Sequence, residues 1–309
     1  MNNALPLLSY PEAKETYATL HLFTQIIGKI KLGKLPWINH SWHVTLFVTP
    51  TGLTTSHLTD GNQHFQIDFD FIAHQLKIYT DSGEIRWFSL LDISVADFYN
   101  KVFNALKDLE IEAKINPIPC EIADCITFTS DTAHCTYNPE YAIAFHKSLL
   151  FSSDILTKFR SEFIGKASPV HFFWGSFDLA VSRFSGRPAP KHPGGVPHMP
   201  DWVAQEAYSH EVSSCGFWPG NDAVPYAAYY SYIYPEPEGF SKAKVEPAEA
   251  FYHPDLREFI LPYEAVRASE NPAEKLLGFL HSTYNAAADL AHWDRKALEK
   301  TTTNTLNTP

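Results

Sequence analysis

The sequence predicts an α+β protein in which antiparallel sheets are packed by helices. Three observations carry this. Four segments have apolar residues at helical spacing, several segments alternate or concentrate strand formers, and the order helix, strands, helix occurs twice. The first helix runs from Pro11 to about Lys31, with Leu20, Phe23, Ile26, Ile27 and Ile30 recurring at helical spacing and Gly33 and Pro36 beyond it. His43 to Thr49 is rich in strand formers and stops at the turn Pro50-Thr-Gly52. In His64 to Phe71 the residues Phe65, Ile67, Phe69 and Phe71 alternate with His64, Gln66, Asp68 and Asp70, as in a strand with one buried and one wet face. Gln75–Thr80 and Glu84–Leu90 flank Asp81-Ser-Gly83, a hairpin signal. A second helix spans Ser94 to Leu109, with Ser94 as N-cap and Asp97 three residues on giving a weak echo of a capping box.

The segment Glu110 to Asn138 holds Pro117, Pro119 and three cysteines and reads as a connector with one short strand. A long helix from Pro139 to about Gly165 follows, with proline in the tolerated first turn. Strands are expected at Val170–Phe184, Ser209–Phe217, Tyr226–Tyr234 and Arg257–Pro262, and a last helix at Asn271–Trp293. The organisation is a first α+β half over residues 1–115, a connector over 116–138, a second half over 139–295 and a frayed polar tail over 296–309. Ile27-Gly-Lys29 and Ile164-Gly-Lys166 echo each other, as do Ser41–Leu46 and Ser176–Val181. Both duplication and coincidence fit, since helices often end in glycine followed by a cation.

Composition narrows the function classes. A net charge of −11 over 309 residues disfavours nucleic acid. No apolar run approaches the ~20 residues of a bilayer span. The N-terminus lacks the basic and apolar regions of a signal peptide, so the expectation is a cytoplasmic protein whose Cys120, Cys125, Cys135 and Cys215 are reduced. P-loop, G-x-G-x-x-G, H-E-x-x-H and G-x-S-x-G patterns are absent. Fourteen of the 22 prolines lie between Pro169 and Pro272, which marks long, functional loops in the second half.

Candidate chemistry concentrates between Gly165 and Gly220. With Val170–Phe184 as one strand, Phe173, Phe177, Leu179 and Val181 share a core face. Phe172, Trp174, Ser176, Asp178, Ala180 and Ser182 share the other, where rings mix with small polar groups as in a ligand pocket. Asp178 among apolar neighbours needs a partner, a metal or a raised pKa. Arg183, Arg187, Lys191 and His192 follow within ten residues, and arginine forks suit carboxylate or phosphate. On the next strand His210 and Glu211 point to opposite faces. Asp178, His210, Glu211 and His192 are therefore the candidate acid, base or ligand groups. Arg183, Arg187, Trp174, Ser176 and Tyr230 are the candidate substrate contacts. His171, Asp178 and His210 are the set that would hold a divalent metal. Each has a plainer reading: an ion pair for Asp178, a solvated loop for the arginines, a hydrogen-bonded core residue for a strand histidine, core packing for the tyrosines.

The runs IGKASPVHFFWGSFDLAVSRFSGRPAPKHPGG, SHEVSSCGFWPG, YSYIYPEPEGF and AFYHPDLREFILPYE, with NHSWHVTLFVTPTGLTTS and FQIDFDFIAHQLKI, resemble a bacterial family classed as a domain of unknown function. The resemblance covers nearly the whole chain. It implies a full-length domain and supplies no activity, cofactor or catalytic residue. The residues themselves lead to an enzyme acting on a small anionic organic molecule, metal-assisted or not. A non-catalytic small-molecule-binding protein with an aromatic pocket and a structural, partner-binding protein are the alternatives.

Overall fold

The computed structural model describes residues 5–300. Its elements are α1 (Tyr10–Lys34), β1 (Phe47–Thr49), β2 (Gly52–Asp60), β3 (Gln63–Asp70), β4 (Gln75–Thr80), β5 (Ile85–Ser89), α2 (Val95–Asp108), α3 (Pro139–Ser161), β6 (His171–Phe173), β7 (Asp178–Pro188), α4 (Asp201–Ala207), β8 (His210–Trp218), β9 (Ala228–Tyr234), β10 (Phe251–His253), β11 (Glu258–Pro262), α5 (Tyr263–Arg267), α6 (Pro272–Leu290) and α7 (Arg295–Leu298). They form two antiparallel sheets, ordered β1-β2-β3-β4-β5 and β10-β11-β9-β8-β7-β6, packed by helices. The fold is α+β.

Local chemistry explains the helix ends. Ser94 Oγ accepts from the Asp97 N–H at 3.1 Å, and Asp97 Oδ2 accepts from the Ser94 N–H at 3.1 Å, so the capping box is complete. Asn138 and Asn271 cap α3 and α6 by side-chain acceptance alone, from the Glu140 and Tyr141 N–H and from the Glu274 N–H, each followed by proline at the first helical position. Helix α1 runs through Gly33 to Lys34 and stops before Pro36. Leu20, Phe23, Ile26, Ile27 and Ile30 are all buried, and the helix touches β2, α2 and α3, which places it at the centre of the core.

The strand pattern of β3 emerges as expected, with Phe65, Ile67 and Phe69 buried and His64, Gln66 and Asp68 outward. Several expectations change. The strand expected at His43–Thr49 shortens to β1, and Gly52–Asp60 forms an unanticipated strand. A bulge hides its period: Ser56 sits at φ 58°, and the register slips between Thr54 and His57. Val170–Phe184 is not one strand but a hairpin, turning at Trp174–Phe177 with Phe177 at φ 59°. β7 then continues past Phe184 to Pro188. Helix α4 is new, and the connector holds no strand. Of the tail expected to fray, residues 301–309 lie outside the described residues. Residues 296–300 are tied down, with Leu298 O accepting from the Ile164 N–H at 2.8 Å and the Lys300 N–H reaching Glu162 O at 2.9 Å.

The sheets meet edge to edge. Leu46, just before β1, and Phe172 in β6 exchange both backbone hydrogen bonds, at 2.9 and 2.7 Å, in an antiparallel bridge. Each half runs helix, antiparallel strands, helix outward from this bridge. The sequence echo does not follow that correspondence, because Gly28 lies inside α1 and Gly165 beyond the end of α3. The main core lies between the sheets and α1, α3 and α6.

Candidate functional site

Along β7, Leu179, Val181 and Arg183 face the helices, and Asp178, Ala180, Ser182 and Phe184 face away from them. Register carries that outer face across the sheet: Ala180 lies beside Gly216 and Tyr230, and Ser182 beside Ser214 and Tyr232. A cavity of about 520 Å³ stands over it, within the usual size of small-molecule sites. Its floor includes Asp178, Ser182, Ser214, Tyr230 and Tyr232. Trp37 and Trp42 wall it from the α1–β1 connection, and Met199, Val203 and Tyr208 cover it from the β7–β8 connection.

Asp178 is buried at the start of β7, 8% exposed. Its Oδ2 accepts a short hydrogen bond from the Tyr230 hydroxyl. Gly216 lies between them, and a β-carbon there would stand 2.5 Å from the Tyr230 hydroxyl and 2.2 Å from Leu179 O. Glycine is thus what lets the tyrosine cross β8. Burial pushes the Asp178 carboxyl up to about 7. The Tyr230 hydrogen bond opposes this, and the charge of Glu121 adds to it. Glu258, at the start of β11 opposite His253, is pushed up to about 8 by burial and by the charge of Asp178. Two hydroxyl pairs complete the floor: Tyr208 with Tyr232 at 2.8 Å, and Ser182 donating to Ser214 at 3.0 Å.

Glu121 comes from the connector and is held from three sides. The buried Gln25 amide of α1 accepts from the Cys120 N–H and donates to Cys120 O, both at 2.9 Å. The Glu121 N–H donates to Pro197 O at 2.8 Å, and Ser176 Oγ donates to Glu121 Oε2 at 2.8 Å. Burial raises its pKa, against the Ser176 hydrogen bond. Glu121, Gly175 and Ser176 also line a second cavity of about 580 Å³ on the far side, with Tyr10, His21 and Asp222.

The fold brings together Asp178, Trp174, Ser176, Tyr230 and His192 from the residues singled out in the sequence. Trp174 Nε1 donates to Val44 O at 2.7 Å, and the His192 ring stacks on Tyr208 at 4.7 Å. The others are elsewhere. Arg183 is buried on the opposite face, its guanidinium 3.4 Å from the Phe159 ring centre and 4.4 Å from that of Tyr284, donating to Phe159 O. It shares the parity of Leu179 and Val181 on β7, which turns it to the helices. Arg187 and Glu211 pair with each other at 2.6 Å, and Arg187 also caps the carbonyls of Ala291 and His292. Neither lines the cavity, and His210 and Glu211 do point to opposite faces.

The expected metal set does not converge. His171 is fully buried with Nδ1 3.1 Å from Thr45 Oγ1, and burial lowers its pKa to about 3. His210 lies beyond the cavity lining, its ring 6.0 Å from that of His40. Among the described residues no group of three or more His, Cys, Asp or Glu side chains is placed to hold a metal ion. The cysteines are dispersed and unbridged.

Sequence reasoning missed Glu121, Tyr208 and His40 as site residues. His40 lines the cavity in a left-handed conformation, its Nδ1 2.8 Å from Ala207 O and its Nε2 2.6 Å from Lys166 Nζ. Each of these residues reaches the site through contacts distant in the chain, so no local spacing announces it.

The chain belongs to the DUF5996 family, described as a family of unknown function, which matches residues 5–300. Curated proteins and solved structures return no match.

Proposed function

From membership of a family without an assigned activity as premise, we propose that the chain is an enzyme that performs general acid–base chemistry on a small polar organic molecule held over the β7–β9 face. One observation carries this reading: Asp178, buried at the floor of a cavity, bonds Tyr230 through Oδ2, which leaves Oδ1 for a ligand. A carboxyl poised near neutrality can both take and return a proton within one cycle, a contribution of roughly 10²–10⁴-fold in rate. Glu121 supplies a second carboxyl across the same cavity. The aromatic and serine groups of the floor provide stacking and hydrogen bonding for the substrate body.

The anionic substrate expected from Arg183 and Arg187 loses its anchors, since both lie off the cavity. A metal-assisted route has no assembled ligand set behind it. A non-catalytic binding protein is the competing reading, favoured by the floor hydroxyls being paired with one another.

The test uses defined small-molecule mixtures incubated with the wild type, Asp178→Asn and Arg183→Ala, read by mass spectrometry and by thermal shift. Conversion by the wild type should fall at least a hundredfold in Asp178→Asn. Arg183→Ala should lose stability and keep ligand binding. Ligands that stabilise wild type and are returned unchanged would replace the enzyme with a binding protein.

A further inference from the structure

The cavity has an unbalanced charge. Asp178 on β7 and Glu121 from the connector line its floor and one wall, with Lys29 the one lysine in the lining, and Glu258 on β11 lies outside the lining, close enough for the Asp178 charge to raise its pKa. Among the described residues, no lysine, arginine or histidine lies within ion-pairing distance of any of the three acids. The other side of the same sheet holds the reverse, a buried Arg183 among rings. Aromatic surfaces surround the acids: Trp42, Phe173, Phe184, Tyr230 and Tyr232 all face the cavity. Acid plus ring faces is the composition that receives organic cations, through Coulomb attraction and the negative faces of the rings.

Resting on the acid–base reading of this site, we infer that its substrate carries a protonated amine, seated between the Asp178 carboxylate and the aromatic walls, with an apolar or ring-shaped body along the sheet. The ammonium supplies the counter-charge that Asp178 and Glu121 lack within ion-pairing distance. It hydrogen-bonds Asp178 Oδ1, the oxygen that Tyr230 leaves free. A buried carboxylate without a cation is costly, and an arriving ammonium relieves that cost.

The charge state follows with a definite sign. Asp178 holds its proton up to about pH 7 in the free protein. A bound ammonium favours the ionised form, so binding expels a proton and tightens as pH rises from 6 to 8. The other titratable groups lining this region are Glu121, Cys120, Tyr208, Tyr230, Tyr232, His40, His192, His198 and Lys29, and Glu258 couples to Asp178 from outside the lining. The three tyrosines stay neutral in that window because burial raises each of them. His40 and His192 are held below their ordinary value by burial, and Lys29, lowered by burial, lies toward Cys120 and Cys125.

Three probes that share one body separate the possibilities: 2-phenylethylamine, 2-phenylethanol and phenylacetate, titrated calorimetrically at pH 6 and pH 8 in buffers of different ionisation enthalpy. The amine should bind at least tenfold tighter than the alcohol at pH 8, release a proton, and lose most of that preference at pH 6. Phenylacetate should bind weakest. In Asp178→Asn, which keeps the shape and the Tyr230 hydrogen bond, amine and alcohol should come within about threefold of each other, about 0.7 kcal/mol at 1.4 kcal/mol per tenfold. Equal binding of amine and alcohol in the wild type, or tightest binding of phenylacetate, overturns the amine assignment and leaves the site standing, provided Asp178→Asn or Trp42→Ala still weakens them. Failure of all three probes to bind, or binding that neither variant alters, overturns the amine assignment together with the site.

Discussion

The two sheets share a plan and differ in what lies on the face turned away from the helices. On the first sheet His57, Gln66, Asp68, Lys77 and Trp87 look outward, and β2 and β3 are joined by the two-residue turn Gly61–Asn62. On the second, the equivalent connection between β7 and β8 is residues 189–209, long enough to carry α4 back over the sheet. The connector wraps the same region and adds Glu121. A strand with an open face selects polar residues there, whereas a covered one turns the same positions into a cavity floor. The site arises from loops laid over the second sheet alone, consistent with the enrichment of prolines in that part of the chain.

If the halves are locked together where Trp174 of the second meets α1 of the first, disturbing that contact should have the largest effect. A β-carbon on Gly28 would stand 2.2 Å from the Trp174 ring, whose indole holds Val44 O. Gly28→Ala is expected to cost about 3 kcal/mol or more in chemical denaturation, by overpacking a joint with nowhere to move. Gly33→Ala in the same helix meets only Lys114 O at 3.6 Å and should be neutral or stabilising by up to about 1 kcal/mol. Equal effects would break the picture of a locked junction.

Next in size is the covered floor. The Asp178 carboxyl is raised from 3.8 to about 7, so the unfolded chain ionises it first and folding takes up a proton between those values. Its cost is absent below about pH 4, grows toward pH 7 and is constant above. Asp178→Asn should therefore stabilise the chain by about 2–4 kcal/mol at pH 8 and hardly at all at pH 4, measured from denaturant midpoints. A gain of the same size at both pH values would mean that ionisation is not the cause. The smallest effect belongs to the open face: Gln66→Ala removes only a contact to Asp68 at 2.9 Å and should stay within about 0.5 kcal/mol.

Legibility divides along the same line. β3 and β4 alternate because one side is wet, and their limits can be read directly. β8 is buried on both sides from Val212 to Phe217, so its alternation vanishes and facing has to be guessed. Asp178 stood out because a carboxylate among apolar neighbours is costly anywhere. Arg183 misled because its charge was read as a ligand anchor although it shares the strand parity of the core-facing Leu179 and Val181, and the aromatic rings of Phe159 and Tyr284 receive its guanidinium there. Glu121 gave no sign, since the Gln25 amide that fixes its neighbour and the Ser176 that holds its carboxylate are supplied by tertiary structure.

The bridge between Leu46 and Phe172 also bears on how the chain avoids sticking to its neighbours. Sheet edges offer unpaired N–H and C=O groups that recruit other chains, and here the two inner edges silence each other. β10, at one outer edge, is three residues long, and β5, at the other, interrupts Ile85 and Trp87 with Arg86. Either half expressed alone would regain an open edge strand with apolar flanks. Self-association of such fragments into oligomers or aggregates is the expected outcome.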